Sequence, residues 1–205
     1  MKADELLDLL SKSNLAIFTE KDIERFIGKG KGYTALYLNR LVKRGKLARI
    51  ERGKYCLKDA NIFEIAANVV YPSYISMLAA FELHGITEQK PLTIDIVTTK
   101  RHRSLEFNGY NLLFHTIKRR FFSGFYRINN QKIMCATPEK AIADSIYFKN
   151  PSENYIYEAL ENGLKKRIID IRALQTFLNT MELTKNKRET AELEERLKDL
   201  YVHAK

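Results

Sequence analysis

The residues best suited to chemistry in this sequence are basic, and they are concentrated in one short segment. Residues 28–58 contain ten lysines or arginines and a single acid, Glu51. The whole chain of 205 residues carries a formal net charge of +10. Clustered charge of one sign indicates a partner of the opposite sign, whereas dispersed charge indicates only solubility. The sequence therefore predicts that this segment binds a polyanion such as nucleic acid.

A helix is predicted over residues 33–44, because apolar side chains repeat there at helical spacing (Leu38, Leu41, Val42). Tyrosine and arginine side chains lie along the opposite face and are free to meet a partner. The major groove of DNA admits one helix, and residues near the N-terminus of that helix usually reach the base edges. The predicted DNA-binding residues of this helix and of the turn before it are Lys31, Tyr33, Thr34, Tyr37, Arg40 and Arg44.

A basic hairpin is predicted after this helix, with strands at residues 47–50 and 54–57 and Gly53 in the turn. Arg52 and Lys54 at its tip are expected to contact phosphates or the minor groove. Upstream, one helix is predicted over residues 3–12 and a second after the cap residue Thr19, followed by a glycine-rich turn at residues 28–32. Helix, helix, turn, helix and hairpin occur in this order in a winged helix-turn-helix.

Two other interpretations of this segment remain open. The basic face could be only a solvated surface, with Tyr33 and Tyr37 covering the edge of the core, although this leaves the shortage of acids unexplained. Gly30 and Gly32 could belong to a phosphate-binding loop, but the pattern GxxxxGK[ST] is absent and no strand clearly precedes them. DNA binding by the helix is the favoured interpretation.

The pattern of charged and apolar residues changes after residue 59. The predicted domains are therefore residues 1–59 and residues 60–205. Helices are predicted over residues 62–69 and 73–84, and another begins at Pro138 with Thr137 as its cap. Strands are predicted near residues 92–98, 110–117, 121–128 and 132–136, and the chain after residue 152 is predicted to be helical, with a charged end at 185–198. The predicted fold class is α+β: an N-terminal winged helix-turn-helix followed by a domain with a small antiparallel sheet flanked by helices.

Two further basic turns are predicted in the second domain. They could be solvated hairpin turns, or they could form a second anion-binding patch if folding brings them together. The residues of this second basic patch are Arg101, Arg103, Lys118, Arg119 and Arg120.

Catalysis finds little support in the sequence. The four histidines form no HExxH pair, and the acids Glu139 and Asp144 are spaced to lie on different faces of one helix. Cys56 and Cys135 are expected to be small buried hydrophobic residues. We therefore expect no catalytic residue, metal or cofactor. No apolar run is long enough to cross a bilayer, and the acidic N-terminus is unlike a signal peptide, so we expect a cytoplasmic protein with no membrane partner, present as a monomer or weak dimer.

Three stretches of the chain resemble the AbiEi family, the antitoxin and repressor half of type IV toxin–antitoxin systems. The first is the hairpin at residues 47–55, with its basic residue, glycine and tyrosine. The second extends from residue 74 to residue 87. The third is residues 136–144, which begin Ala-Thr-Pro-Glu. Together they cover about residues 1–165.

The resemblance implies a repressor that binds inverted repeats of double-stranded DNA in its own promoter. It also implies an antitoxin that neutralises a nucleotidyltransferase-like toxin through the second domain, in an abortive-infection system of phage defence. An alternative is a winged-helix transcription factor whose second domain senses a ligand or mediates assembly, with no toxin partner. A nucleic-acid enzyme is disfavoured, because no cluster of metal-ligating residues is visible.

Overall fold

The computed structural model of the chain describes residues 2–13, 15–128 and 132–183. The charged helix predicted at residues 185–198 lies outside the described residues. In the described part, no helix is both long enough and apolar enough to span a bilayer.

The N-terminal part contains three helices and three strands, and all of them except β1 follow the predicted order. They are α1 (Ala3–Lys12), β1 (Phe18–Thr19), α2 (Glu20–Ile27), α3 (Lys31–Lys43), β2 (Leu47–Glu51) and β3 (Lys54–Leu57). The predicted cap of α2 is confirmed, because the Thr19 hydroxyl accepts a hydrogen bond from the Asp22 amide at 3.3 Å. Gly28 ends α2 with φ of +64°, a left-handed conformation that glycine adopts at little cost. α3 begins two residues earlier than predicted, so Gly32 lies in its first turn.

These strands form a three-stranded antiparallel sheet in the order β1-β3-β2. The two-residue strand β1 was not predicted, because it is too short to show a pattern; Phe18 pairs with Tyr55 of β3. α2 and α3 pack against each other, and α3 also contacts β2. This order of elements is that of a winged helix, in which β2, β3 and the turn between them are the wing.

The second part contains five helices and six strands among the described residues. They are α4 (Ile62–Asn68), β4 (Ser73–Ile75), α5 (Met77–Leu83), β5 (Thr93–Thr98), β6 (Leu105–Phe107), β7 (Tyr110–Thr116), β8 (Phe125–Ile128), β9 (Ile133–Ala136), α6 (Pro138–Phe148), α7 (Glu153–Lys165) and α8 (Ile171–Thr180). Arg119–Phe121 forms a short 3-10 helix between β7 and β8. The predicted cap of α6 is confirmed, because the Thr137 hydroxyl accepts a hydrogen bond from the Lys140 amide at 3.2 Å.

The prediction of a small antiparallel sheet in this part is wrong. The sheet has six strands in the order β6-β7-β5-β4-β9-β8, and it is mixed. β5 pairs with β7 in parallel, and β4 pairs with β9 in parallel. Parallel partners must be distant in sequence, so local alternation could not reveal them. The helix predicted to start at Ser73 also begins as a strand, since Ser73–Ile75 forms β4 between β5 and β9.

The wing lies between two hydrophobic cores. Leu47 and Tyr55 belong to the smaller core, which they share with α1, α2 and α3. Ile50 and Cys56 belong to the larger core around the six-stranded sheet. Successive side chains of a strand point to opposite faces, so both faces of the wing are covered. The wing therefore fixes the helix-turn-helix to the second part of the molecule.

Candidate nucleic-acid interface

One face of α3 is exposed along its whole length. It presents three cations, one amide, one aromatic ring and one aliphatic side chain, and no acid. One of the three cations is Arg44, the C-terminal cap of the helix. These residues are Tyr33, Leu36, Asn39, Arg40, Lys43 and Arg44, which we call the α3 face. The opposite side of α3 is buried through Leu38 and Leu41. Rows of residues three and four apart share a helix face, so the six side chains form one surface.

Three of the predicted DNA-binding residues lie on the α3 face. Tyr33 is 53% exposed and stacks on Tyr37, with ring centroids 5.9 Å apart. Arg40 and Arg44 are both exposed, one helical turn apart. Lys31 is exposed at the first position of α3, outside this face but beside its N-terminus. A cation and free backbone amides at that position suit a phosphate.

Two predicted residues have structural roles instead. Thr34 is fully buried, and its hydroxyl donates to the carbonyl of Gly30 at 3.2 Å, so its predicted contact with DNA is corrected. Tyr37 is half-buried, and its hydroxyl is buried with no hydrogen-bond partner in the described part of the chain. Burial raises the pKa of Tyr37, and the nearby Tyr33 and Glu5 raise it further. Tyr37 therefore supports the ring of Tyr33, and its hydroxyl does not face a groove.

Sequence reasoning missed three members of the α3 face: Leu36, Asn39 and Lys43. Leu36 is 62% exposed, although aliphatic side chains on such a helix are expected in the core. Asn can pair with adenine through two hydrogen bonds, and an apolar side chain can contact the thymine methyl group. Helical spacing is the signal that could have found two of them, since Leu36 lies four residues before Arg40 and Lys43 lies three residues after it.

Of the two basic residues predicted at the tip of the wing, Arg52 is exposed to solvent and Lys54 makes contacts within the protein. Arg52 is exposed in the turn. The Lys54 ammonium lies 2.8 Å from a carboxylate oxygen of Glu51 and donates to the carbonyl of Val69 at 2.5 Å. Lys54 therefore joins the wing to the end of α4, and its contact with DNA stays a prediction. The sequence alone could not distinguish Lys54 from Arg52, because the partner of Lys54, Val69, is distant along the chain.

The two basic turns of the second part are not hairpins, which corrects that interpretation. Residues 99–104 connect β5 to β6, which are separated by β7 in the sheet, and residues 117–124 connect β7 to β8 across the sheet. Both turns nevertheless begin at one edge, because β5 and β7 are parallel and Thr98 pairs with Thr116. All five predicted patch residues are exposed: Arg101, Arg103, Lys118, Arg119 and Arg120.

Titratable groups elsewhere are engaged in structural contacts. Cys56 and Cys135 are buried and free, as predicted, and burial raises their pKa values to about 11 and about 12. The Asp144 carboxylate is buried in an ion pair with Lys140, and a Glu139 carboxylate oxygen accepts a hydrogen bond from the Asp170 amide at 2.9 Å. Among the described residues, no three His, Cys, Asp or Glu side chains are grouped so that they could hold a metal ion.

Comparison with known proteins agrees with this geometry. Residues 4–58 match the family model described as "Transcriptional regulator, AbiEi antitoxin". No curated protein matches the chain. The matched residues run from α1 to the end of the wing and include the whole α3 face. Residues 4–58 of this chain are therefore similar to the AbiEi antitoxins, which the family model describes as transcriptional regulators.

Proposed function

We propose that this chain is a transcriptional autorepressor that binds inverted repeats in its own promoter, and that it is also the antitoxin of a nucleotidyltransferase-like toxin. In this proposal residues 1–59 bind DNA and residues 60–205 neutralise the toxin. The observation that supports it most strongly is the acid-free α3 face within a winged-helix frame. Arginine and asparagine on a helix suit guanine and adenine edges in the major groove.

Each element has a distinct role in this proposal. Arg40 and Asn39 in the middle of the α3 face contact base edges, while Lys31, Lys43 and Arg44 near the ends contact phosphates. Base contacts carry the sequence preference, and phosphate contacts fix the register and make binding sensitive to salt. Arg52 in the wing turn contacts the backbone beside the groove.

Arg40 and Arg44 provide the direct test. We expect Arg40→Ala to weaken promoter binding by about 1–3 kcal/mol and to relax the base preference at one position. Arg44→Ala should weaken binding to all sequences alike. The measurement is a titration of labelled promoter DNA, with randomised DNA in parallel. The double variant K165A/R172A also removes two exposed cations, from α7 and α8, and should bind as the wild type does. Unchanged binding by R40A/R44A would contradict the assignment of α3.

The antitoxin role is tested separately by co-expression with the neighbouring gene. We expect that gene to arrest growth by itself and the full chain to restore growth. R40A/R44A should restore growth as well, because antitoxin action is assigned to the second domain. A neighbouring gene without toxicity, or no rescue by the wild type, would contradict this role.

A second candidate function is a winged-helix regulator whose second domain senses a small molecule. It is favoured by a groove of about 480 Å³ between the end of α6 and the start of α7, lined by side chains that include Ser145, Lys149, Glu153 and Tyr157. Ligand sites commonly have volumes of about 300–1,000 Å³. Failure of the co-expression test together with intact DNA binding would favour this candidate.

A further inference from the structure

One edge of the six-stranded sheet gathers segments that are far apart in the sequence. β5 and β7 both end there, and β4 begins there, because Ser73 of β4 pairs with Thr98 of β5. The loop of residues 99–104 leaves β5 at this edge and must cross the end of β7 to reach β6. The Thr116 hydroxyl at the end of β7 donates to the carbonyl of Lys100 at 3.5 Å. We call residues 99–104 the crossing loop.

The wing contacts the crossing loop directly. A Glu51 carboxylate oxygen lies 3.5 Å from Nε2 of His102. Lys54 donates to the carbonyl of Val69 just before β4, and Lys100 donates to the carbonyl of Tyr71 at 2.6 Å. The wing turn and the crossing loop are thus attached to the same short segment of backbone, and they form one surface.

The crossing loop is held in a defined shape. The ring of His102 packs on Phe114, with centroids 4.4 Å apart, and its Nδ1 lies 2.7 Å from the carbonyl of Arg103. His102 points inward, whereas Arg101 and Arg103 on either side of it are exposed. A preorganised loop loses less conformational entropy when it binds a ligand.

Arg101 and Arg103 are exposed, and within the described part of the chain neither side chain has an ion pair or a side-chain hydrogen bond. Glu51, the acid of the wing, is already engaged by Lys54 and His102. Arg120 differs, since its guanidinium lies 3.4 Å from a Glu182 carboxylate oxygen and 4.6 Å from the ring centroid of Phe121. Among the described residues, Arg101 and Arg103 are therefore unpaired cations in a loop that contacts the wing directly.

We propose that the crossing loop is a second DNA-binding element, in which Arg101 and Arg103 contact phosphates of the same duplex next to the wing. This rests on the proposed function, because the wing must lie along DNA for its neighbour to reach the backbone. The loop sequence Thr-Lys-Arg-His-Arg-Ser offers cations and hydroxyls without an exposed apolar group, which suits phosphates better than a protein interface. Arginine also binds phosphate with two parallel hydrogen bonds.

The test compares the full-length wild type with R101A/R103A in titrations of labelled promoter DNA at several salt concentrations. We expect the variant to bind about tenfold more weakly to all sequences. The slope of log K against log salt should decrease in magnitude by about 2, since each lost phosphate contact removes about 0.9. In hydroxyl-radical footprints, protection of the backbone beside the wing should disappear while protection around α3 remains.

K165A/R172A is the matched control, because it removes the same charge and should change neither slope nor footprint. Equal thermal unfolding of both double variants and the wild type checks the fold. If R101A/R103A keeps the wild-type slope and footprint, the proposal is overturned, and loss of growth rescue in that case would assign the loop to the toxin instead. If the wild type binds no double-stranded DNA at all, the proposed function fails, and this inference fails with it.

Discussion

Single side chains of the second part show how burial determines protonation. His84 caps the end of α5, and its Nε2 lies 2.7 Å from the carbonyl of Ala136 and 3.7 Å from the sulfur of Cys135. Burial lowers the pKa of His84 below 6.5, although the hydrogen bond with Ala136 and the charge of Glu139 act in the opposite direction. Burial therefore favours the neutral ring, and because a carbonyl oxygen can only accept, Nε2 of His84 donates to the carbonyl of Ala136.

This protonation predicts a loss of stability in acid. Because the folded pKa of His84 lies below the unfolded value, its contribution is fully present above about pH 6.5 and falls as the pH decreases through the folded pKa. Urea unfolding between pH 5 and pH 7.5 would measure it. H84Q keeps an amide donor for Ala136 but cannot titrate, so its stability should fall less over this range. Parallel pH profiles for wild type and H84Q would contradict the assignment.

At the scale of elements, α6 is attached to β4 by a buried polar cluster. Lys140 and Asp144 lie one turn apart on α6, form an ion pair, and are 1% and 0% exposed. Asp144 also accepts hydrogen bonds from Tyr74 at 3.0 Å and Ser76 at 2.8 Å. A buried carboxylate with three donors is fully satisfied, whereas the same carboxylate without its cation is costly. The cluster therefore fixes where α6 meets β4.

A double-mutant cycle on this pair would measure the coupling. K140M leaves Asp144 buried without its cation and should cost about 3–5 kcal/mol of unfolding free energy. D144N leaves Lys140 unpaired and should be similarly destabilising. K140M/D144N removes both charges while Asn still accepts from Tyr74 and Ser76, so it should be more stable than either single variant. Additive losses in urea unfolding would show that the two residues do not stabilise each other.

In the molecule as a whole, the wing contributes side chains to both hydrophobic cores. It closes the small core of the helix-turn-helix with Leu47 and Tyr55, and it inserts Ile50 and Cys56 into the core of the second part. The position of the α3 face relative to the crossing loop therefore depends on this packing. Two parts that share core residues are expected to unfold together.

Truncating Ile50 tests this coupling. Ile50 is 7% exposed, and I50A should cost about 2–5 kcal/mol, because it leaves a cavity between the wing and the second core. We expect one calorimetric transition for the wild type and two for I50A, since each core can then unfold separately. L174A, in α8 of the larger core, should lower the midpoint but keep one transition. A single two-state transition for I50A would show that the wing does not couple the cores.

Features that depend on near neighbours could be predicted from the amino-acid order. The helix α1, the cap of α2 by Thr19, the wing strands and the cap of α6 by Thr137 follow from spacing and from bonds within three or four residues. The charge of the segment around α3 follows from composition alone. Local hydrogen bonds and helical periodicity act over one turn, so no distant partner is needed to predict them.

Features that depend on distant partners became visible in the folded chain. Folding buries Thr34 and exposes Leu36. It also brings Lys54 to Val69 and His102 to Glu51, and it pairs β5 with β7 in parallel. Each of these contacts joins segments whose proximity is set by how the cores pack, and the free energy of that packing is spread over many apolar side chains. A short stretch of sequence does not reveal this packing, so the basic surface beside the wing could be recognised only in the folded chain.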